Sequence, residues 1–360
     1  MSRWTLLLGA VALAGLLAWP AQRKSKPEES QTLELPKELP AAVVAEAGRL
    51  RFCVTPLSAR GLLTQQVRDG LRWLLSQDRG ARIVKLRAFV AGSGDTRRVQ
   101  TIVSETFTER RLPLPALSVV QIGPLPLEGA QVELEAVAEE KKVLNPHGLA
   151  FLSGQGAEVE QSLAGLGAAA GAAGIDPGDV LLATCYLNSL EDVAGVRARA
   201  NAEFPGAAID IVQRMREPMQ SLAQCEAVAR LRQAPAQPLV FLDPPGLTGS
   251  PGRSGIALVG GRRVALTGAQ LAFGFNEPAA RLAFQRLAKA LDGVGASYSR
   301  VAVAEVYPLS RSIAELVRKV EPEFFDRTRP PAGVMPPFEG LPSLDASFAL
   351  DAIAVLPDSP

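Results

Sequence analysis

Few side chains in this sequence are suited to chemistry, and their scarcity is informative. One histidine, His147, occurs among 360 residues, in an Asn-Pro-His-Gly stretch that reads as a turn. A single imidazole removes most hydrolase triads, histidine-based zinc sites and two-histidine ribonuclease mechanisms. The three cysteines, Cys53, Cys185 and Cys225, are widely spaced and odd in number, so neither a disulfide framework nor a zinc knuckle can be read from them. Cys185 lies in an apolar run, Leu181 to Leu187, and reads as a small buried hydrophobe rather than a nucleophile. Gly92-Ser93-Gly94 is not followed by the Lys-Ser/Thr that a phosphate-binding loop requires. Ser153-Gly154-Gln155, and Thr267-Gly268 with Gln270, each follow an apolar strand. A hydroxyl and turn N–H groups at such points can hold an anion; the competing reading is a turn set by geometry alone. Thr55-Pro56 offers less, because proline has no N–H.

The elements that position these residues come next. The chain is 47% hydrophobic and 5% aromatic, with Lys+Arg 38 against Asp+Glu 37. Real cores are expected, in two or three domains. The balanced charge provides no basic footprint for nucleic acid, and no nucleic-acid partner is expected. Trp4 to Trp19 is an uncharged run of sixteen residues, followed by Arg23, Lys24 and Lys26. It reads as a single-pass membrane anchor over residues 1–21, with the remainder on the cytoplasmic side; a cleaved export signal is the alternative. Residues 22–47, with Pro27, Pro36 and Pro40, read as a linker.

Beyond the linker, one pattern occurs three times. Pro115 to Ala138 aligns without gaps on Pro331 to Ala354, with identities that include Pro115/Pro331, Leu125/Leu341, Leu134/Leu350 and Ala136/Ala352. Gln224 to Ala229 matches Glu133 to Ala138. Ahead of each closing segment, helix-period stretches (61–76, 157–173, 277–291) precede strand-period stretches (82–90, 179–187, 299–307). Second helical stretches follow (95–107, 190–204, 311–320). Asn276-Glu277-Pro278 forms a good helix start. The repeats are placed at 48–140, 141–233 and 238–357. Repetition has a physical use, since an edge or open face left by one copy can be buried by the next.

The closing segment, Pro115-Ala116 and Ser118 through Gly129-Ala130 to Ala138, resembles the signature of the RidA (YjgF-like, L-PSP endoribonuclease-like) family. So do Asn145 to Gln155, Asp179 to Leu187 and Thr267 to Gln270. The resemblance implies an α+β, chorismate-mutase-like unit, three of which associate through their sheets into a barrel-like core with outer helices. Three copies in one chain would then form an intrachain pseudo-trimer, and the chain would be a monomer. The resemblance also implies small-ligand clefts between units and hydrolysis of enamines or imines, of the 2-iminobutanoate and 2-iminopropanoate type, without cofactor or metal. The partner would be a small carboxylate or imine. Ser153, Gly154, Gln155, Thr267, Gly268 and Gln270 would bind it, and Glu133, at the motif's acidic position, would handle protons. The competing reading of Glu133 is a solvated or barrel-end carboxylate. Gln224 and Ala349 replace Glu133 in the other copies.

The sequence departs from the pattern at one chemically decisive place. The family's arginine, suited to a planar carboxylate, is replaced by Leu117 and Gly333, and gapless counting from Gln224 puts Ala208 there in the second copy. Arg214, Arg216 and Arg329 are nearby substitutes, or surface charges. A catalytically inactive structural or interaction module is the alternative function.

Overall fold

In the computed structural model, the residues described are 37–77, 80–92, 95–154, 157–216, 222–243 and 252–357. The first stretch runs β1 (Ala42–Glu46), β2 (Leu50–Val54), α1 (Leu63–Gln77), β3 (Arg82–Ala91), α2 (Thr96–Glu109), β4 (Ala116–Ile122) and β5 (Val132–Glu139). The second runs β6 (Leu149–Ser153), β7 (Ala157–Glu158), α3 (Val159–Ala172), β8 (Val180–Leu187), α4 (Val193–Glu203), β9 (Ala208–Gln213) and β10 (Leu222–Arg230). The third runs β11 (Leu239–Leu242), β12 (Ile256–Val259), β13 (Arg263–Thr267), β14 (Gln270–Phe273), α5 (Glu277–Asp292), β15 (Val301–Pro308), α6 (Arg311–Val320) and β16 (Ala346–Val355).

Local chemistry accounts for the helices. α2 buries Val99, Ile102, Val103 and Phe107 at helical spacing, and the Asp95 carboxylate caps it by accepting from Arg97 N at 3.1 Å. Asn276 caps α5 through Ala279 N at 2.9 Å, and Ser310 caps α6 through Ile313 N at 3.2 Å. These starts fall where the capping residues put them.

The fold is α+β and built on three sheets. In the first, the order is β2-β5-β3-β4, with β3 and β4 parallel and the other pairs antiparallel. The second is ordered β11-β12-β6-β10-β8-β9, again with one parallel pair, β8 and β9. In the third the order is β1-β13-β16-β14, with β15 also on β16. Strands are exchanged between stretches: β1 pairs with β13, and the β11–β12 hairpin extends the second sheet through β6. Each sheet packs its own two helices around a separate apolar core. Two further clusters draw residues from all three sheets. One holds Phe52, Phe151 and Leu266, and the other holds Phe89, Tyr186 and Tyr307.

Two expectations are corrected. The described strands form three separate sheets, not a closed barrel, because the sheets meet through side chains and no strand ladder joins one to the next. The single-pass anchor is also not supported, and with it go the membrane partner and the placement derived from it. Among the described residues no helix is long and apolar enough to cross a membrane. Trp4–Trp19 itself lies outside the described residues, and sixteen residues fall short of the about 20 that a span needs.

Candidate functional site

The registers bring equivalent residues of the three sheets to one central axis. Arg87 stands opposite Glu135, Thr184 opposite Glu226, and Glu305 opposite Asp351. One step along, Phe89, Tyr186 and Tyr307 face Glu133, Gln224 and Ala349. A polar cluster therefore forms among strands that are otherwise apolar. The Arg87 guanidinium donates to Glu135 Oε2 at 2.5 Å and to Glu226 Oε1 at 2.9 Å, which ties the first sheet to the second. Lys85 Nζ meets Asp351 Oδ1 at 2.6 Å and the Thr267 carbonyl at 2.8 Å, which ties the first sheet to the third. Ser118 Oγ and Tyr307 OH both donate to Asp351 Oδ2, at 2.5 and 3.0 Å. Tyr186 OH donates to Glu226 Oε1 at 2.8 Å, and Thr184 Oγ1 donates to Glu135 Oε1 at 2.5 Å.

Burial governs the titration of this cluster. It lowers the Lys85 ammonium, although Asp351 partly restores it. It pushes Glu305 well above the usual carboxylate range, and neighbouring Glu226 pushes further the same way. Burial acts upward on Glu135 as well, but the Arg87 charge overrides it, so Glu135 is held below its ordinary value.

The residues expected from the sequence lie between the sheets. Ser153 Oγ accepts from Gly333 N at 2.7 Å, which joins the second sheet to the third. The Gly154 N–H is used by the Cys225 carbonyl at 2.9 Å, so it is not part of an open anion nest. Gln155 lies outside the described residues. Thr267 is buried, and its Oγ1 accepts from Ala352 N at 2.8 Å. The Gly268 N–H goes to the Ala41 carbonyl, and its Cα packs so close to Leu117 that a Cβ would lie 2.9 Å from the Leu117 oxygen. Gln270 Nε2 turns back onto the Gly268 carbonyl at 3.2 Å. Of the described residues, Ser153 and Gly268 make contacts between sheets, whereas Gly154, Thr267 and Gln270 bond within their own sheets.

Glu133 is 3% exposed and faces Asp210 of β9 across the seam between the first and second sheets. Neither Asp210 oxygen has a hydrogen-bond partner, and Glu135 lies beside the pair as a third buried carboxyl. Burial raises Glu133 to about 7, and burial with the Glu133 charge holds Asp210 well above its ordinary value.

The seam between the second and third sheets is different. A cleft of about 230 Å³ is lined there by Arg214, Gln224, Arg311, Glu315, Arg318 and Met335, among others. Gly333, two residues before Met335, takes φ +133°, and a Cβ there would sit 2.2 Å from the Ala304 carbonyl oxygen. No side chain fits at that position. Leu117 is buried in the first core. Ala208 pairs with Leu182 as Ala116 pairs with Lys85, so Ile209, not Ala208, is level with Leu117. The three guanidinium groups at this cleft come from other elements, one from the end of β9 and two from α6. Of the three substitutes named from sequence, only Arg214 lines it; Arg329 is exposed elsewhere, beside Gln237.

Two further points were missed in the sequence. Cys185 and Cys225, opposed on β8 and β10, are joined as a disulfide inside the second core. The charged axial cluster went unread, although Lys85 and Arg87 sit two apart in an apolar strand, and Glu135, Glu226 and Asp351 share one column of the repeat alignment.

Three sheets, each carrying two helices and meeting at polar seams, define an α+β protein. Residues 63–140 match the family model described as Endoribonuclease L-PSP, and over this stretch the chain is RidA-like. Similar solved structures include three proteins. NMB1025 of the YjgF family, from Neisseria meningitidis, is 15% identical, covering 34% of this chain and 97% of that one, with TM-score 0.26. YyfB of the Rid family, from Yersinia pestis, is 17% identical, covering 33% and 100%, with TM-score 0.30. TdcF from E. coli, with bound serine, is 19% identical, covering 26% and 81%, with TM-score 0.24. No curated protein matches the chain.

Proposed function

We propose that the chain is an intrachain pseudo-trimer of three RidA-like units, 48–140, 141–233 and 238–357, and that it binds a small carboxylate metabolite at the seam between the second and third. The observation that carries this reading is the cleft where Arg214, Arg311 and Arg318 surround Gln224. Arginine side chains from two of the units line this cleft, and a guanidinium fork suits a planar carboxylate. The other seams offer less: one is packed shut at Leu117 and Gly268, and the other is occupied by Glu133 and Asp210. Gln224 stands where the first unit has Glu133, so this cleft has an amide in place of the family's proton-handling acid. Binding is therefore the reading, with imine hydrolysis as a property to be measured.

Calorimetry with 2-ketobutyrate tests it. Saturable binding is expected, weakened about tenfold or more in Arg318→Ala, the scale of one charged hydrogen bond. Ammonia release from freshly generated 2-iminobutyrate separates an enzyme from a binder. No heat and no thermal shift with the ketoacid would leave a structural module in its place.

A further inference from the structure

Away from the seams, the axis itself encloses a cavity of about 80 Å³, room for several waters. Its walls are apolar, with Phe52 and Phe151 buried along them. Val137, Val228 and Ile353, one from each sheet and level in register, are partly exposed and mark its mouth. Its floor is the charged cluster. There, two cations face four carboxylates. Lys85 pairs with Asp351, and Arg87 pairs with Glu135 and Glu226.

Glu305 is the carboxyl left over. It is 7% exposed, lines the cavity, and makes no ion pair among the described residues. Its one donor from the backbone is Val334 N, at 3.3 Å. A carboxylate removed from water without a cation is costly, so it either keeps its proton or recruits a positive charge. The Glu226 carboxyl beside it makes an anionic occupant unfavourable and a cationic one favourable. The apolar walls above would then bury an aliphatic tail.

We infer that the axial cavity is a binding site for a small primary alkylammonium ion, its nitrogen on Glu305 and Glu226 and its short chain between Val137, Val228 and Ile353. Without such a cation, burial and Glu226 push Glu305 toward its protonated form, against the pull of Arg87. Binding would therefore displace a proton into solvent.

The test is calorimetry of the full chain with n-propylammonium chloride near pH 7, in two buffers of different ionisation enthalpy. One site is expected, with release of about one proton, and with neither n-propanol nor propionate competing. Glu305→Gln should weaken binding about tenfold or more and abolish the proton release. Val228→Phe, which narrows the mouth without touching the charges, should block entry while leaving ketoacid binding at the seam unchanged. Absence of saturable binding, equal binding by n-propanol, or unaltered binding and proton release in Glu305→Gln would overturn the assignment.

Discussion

Two seams of this molecule share a backbone plan and differ in what they bring together. Between the first and second sheets, Glu133 faces Asp210 and the contact is buried. Between the second and third, Gln224 takes the position of Glu133, and arginines from α6 and the end of β9 leave a cleft. The residue that matches the family motif best thus sits in a buried contact between two sheets. The open seam has Gln224 at the motif's acidic position and is lined by arginines from outside the motif. A retained motif residue is evidence about a position in the fold, and its surroundings decide whether it acts.

Four substitutions or titrations sharpen this contrast. The largest effect is expected at the axis that both seams abut. Arg87→Met leaves Glu135 and Glu226 buried without their cation and should cost about 3–5 kcal/mol in denaturant unfolding. Gly333→Ala, beside the open seam, sets a Cβ against the Ala304 carbonyl at a backbone angle that suits glycine. A loss of roughly 3 kcal/mol is expected, at the upper end of overpacking, and a neutral result would mean that the seam is loose.

The closed seam should respond to pH. Glu133 titrates at about 7 in the folded chain against an ordinary 4.5, so between these values the folded state holds a proton that the unfolded state has lost. Stability should fall as pH rises through this window, with Glu133 contributing up to roughly 3 kcal/mol and the raised Asp210 and Glu305 carboxyls acting in the same direction. Glu133→Gln should flatten that slope, as read from urea midpoints at pH 5, 6 and 7.5. At the open seam, Arg318→Ala should change stability by no more than about 0.5 kcal/mol while weakening ketoacid binding. Equal losses of stability at both seams would erase the distinction.

The helices were legible because capping residues and apolar spacing are local signals. The expected 277–291 and 311–320 became Glu277–Asp292 and Arg311–Val320. The three middle strands were legible for the same reason. Register was not. Phe52, Phe151 and Leu266 are level against Val137, Val228 and Ile353, so Thr55, Ser153 and Thr267 follow them by three, two and one residues and are out of step. A slip of that size changes which face a hydroxyl occupies, and so Ser153 and Thr267 took different roles. Lys85 and Arg87 carried a signal, two cations on one face of an apolar strand, but their cross-sheet partners, Asp351 and Glu226, lie some 140 to 270 residues away in the chain. The Cys185–Cys225 bridge was invisible for a similar reason: spacing shows neither that β8 and β10 are neighbours nor that these two residues are opposed.

The central claim is that one chain supplies all three layers around the axis. Light scattering on the intact chain at micromolar concentration tests it most directly. A single species at the 38.0 kDa mass of one chain is the expected result. A stable trimer of chains, persisting on dilution, would mean that the layers seek partners in other molecules and would contradict the account.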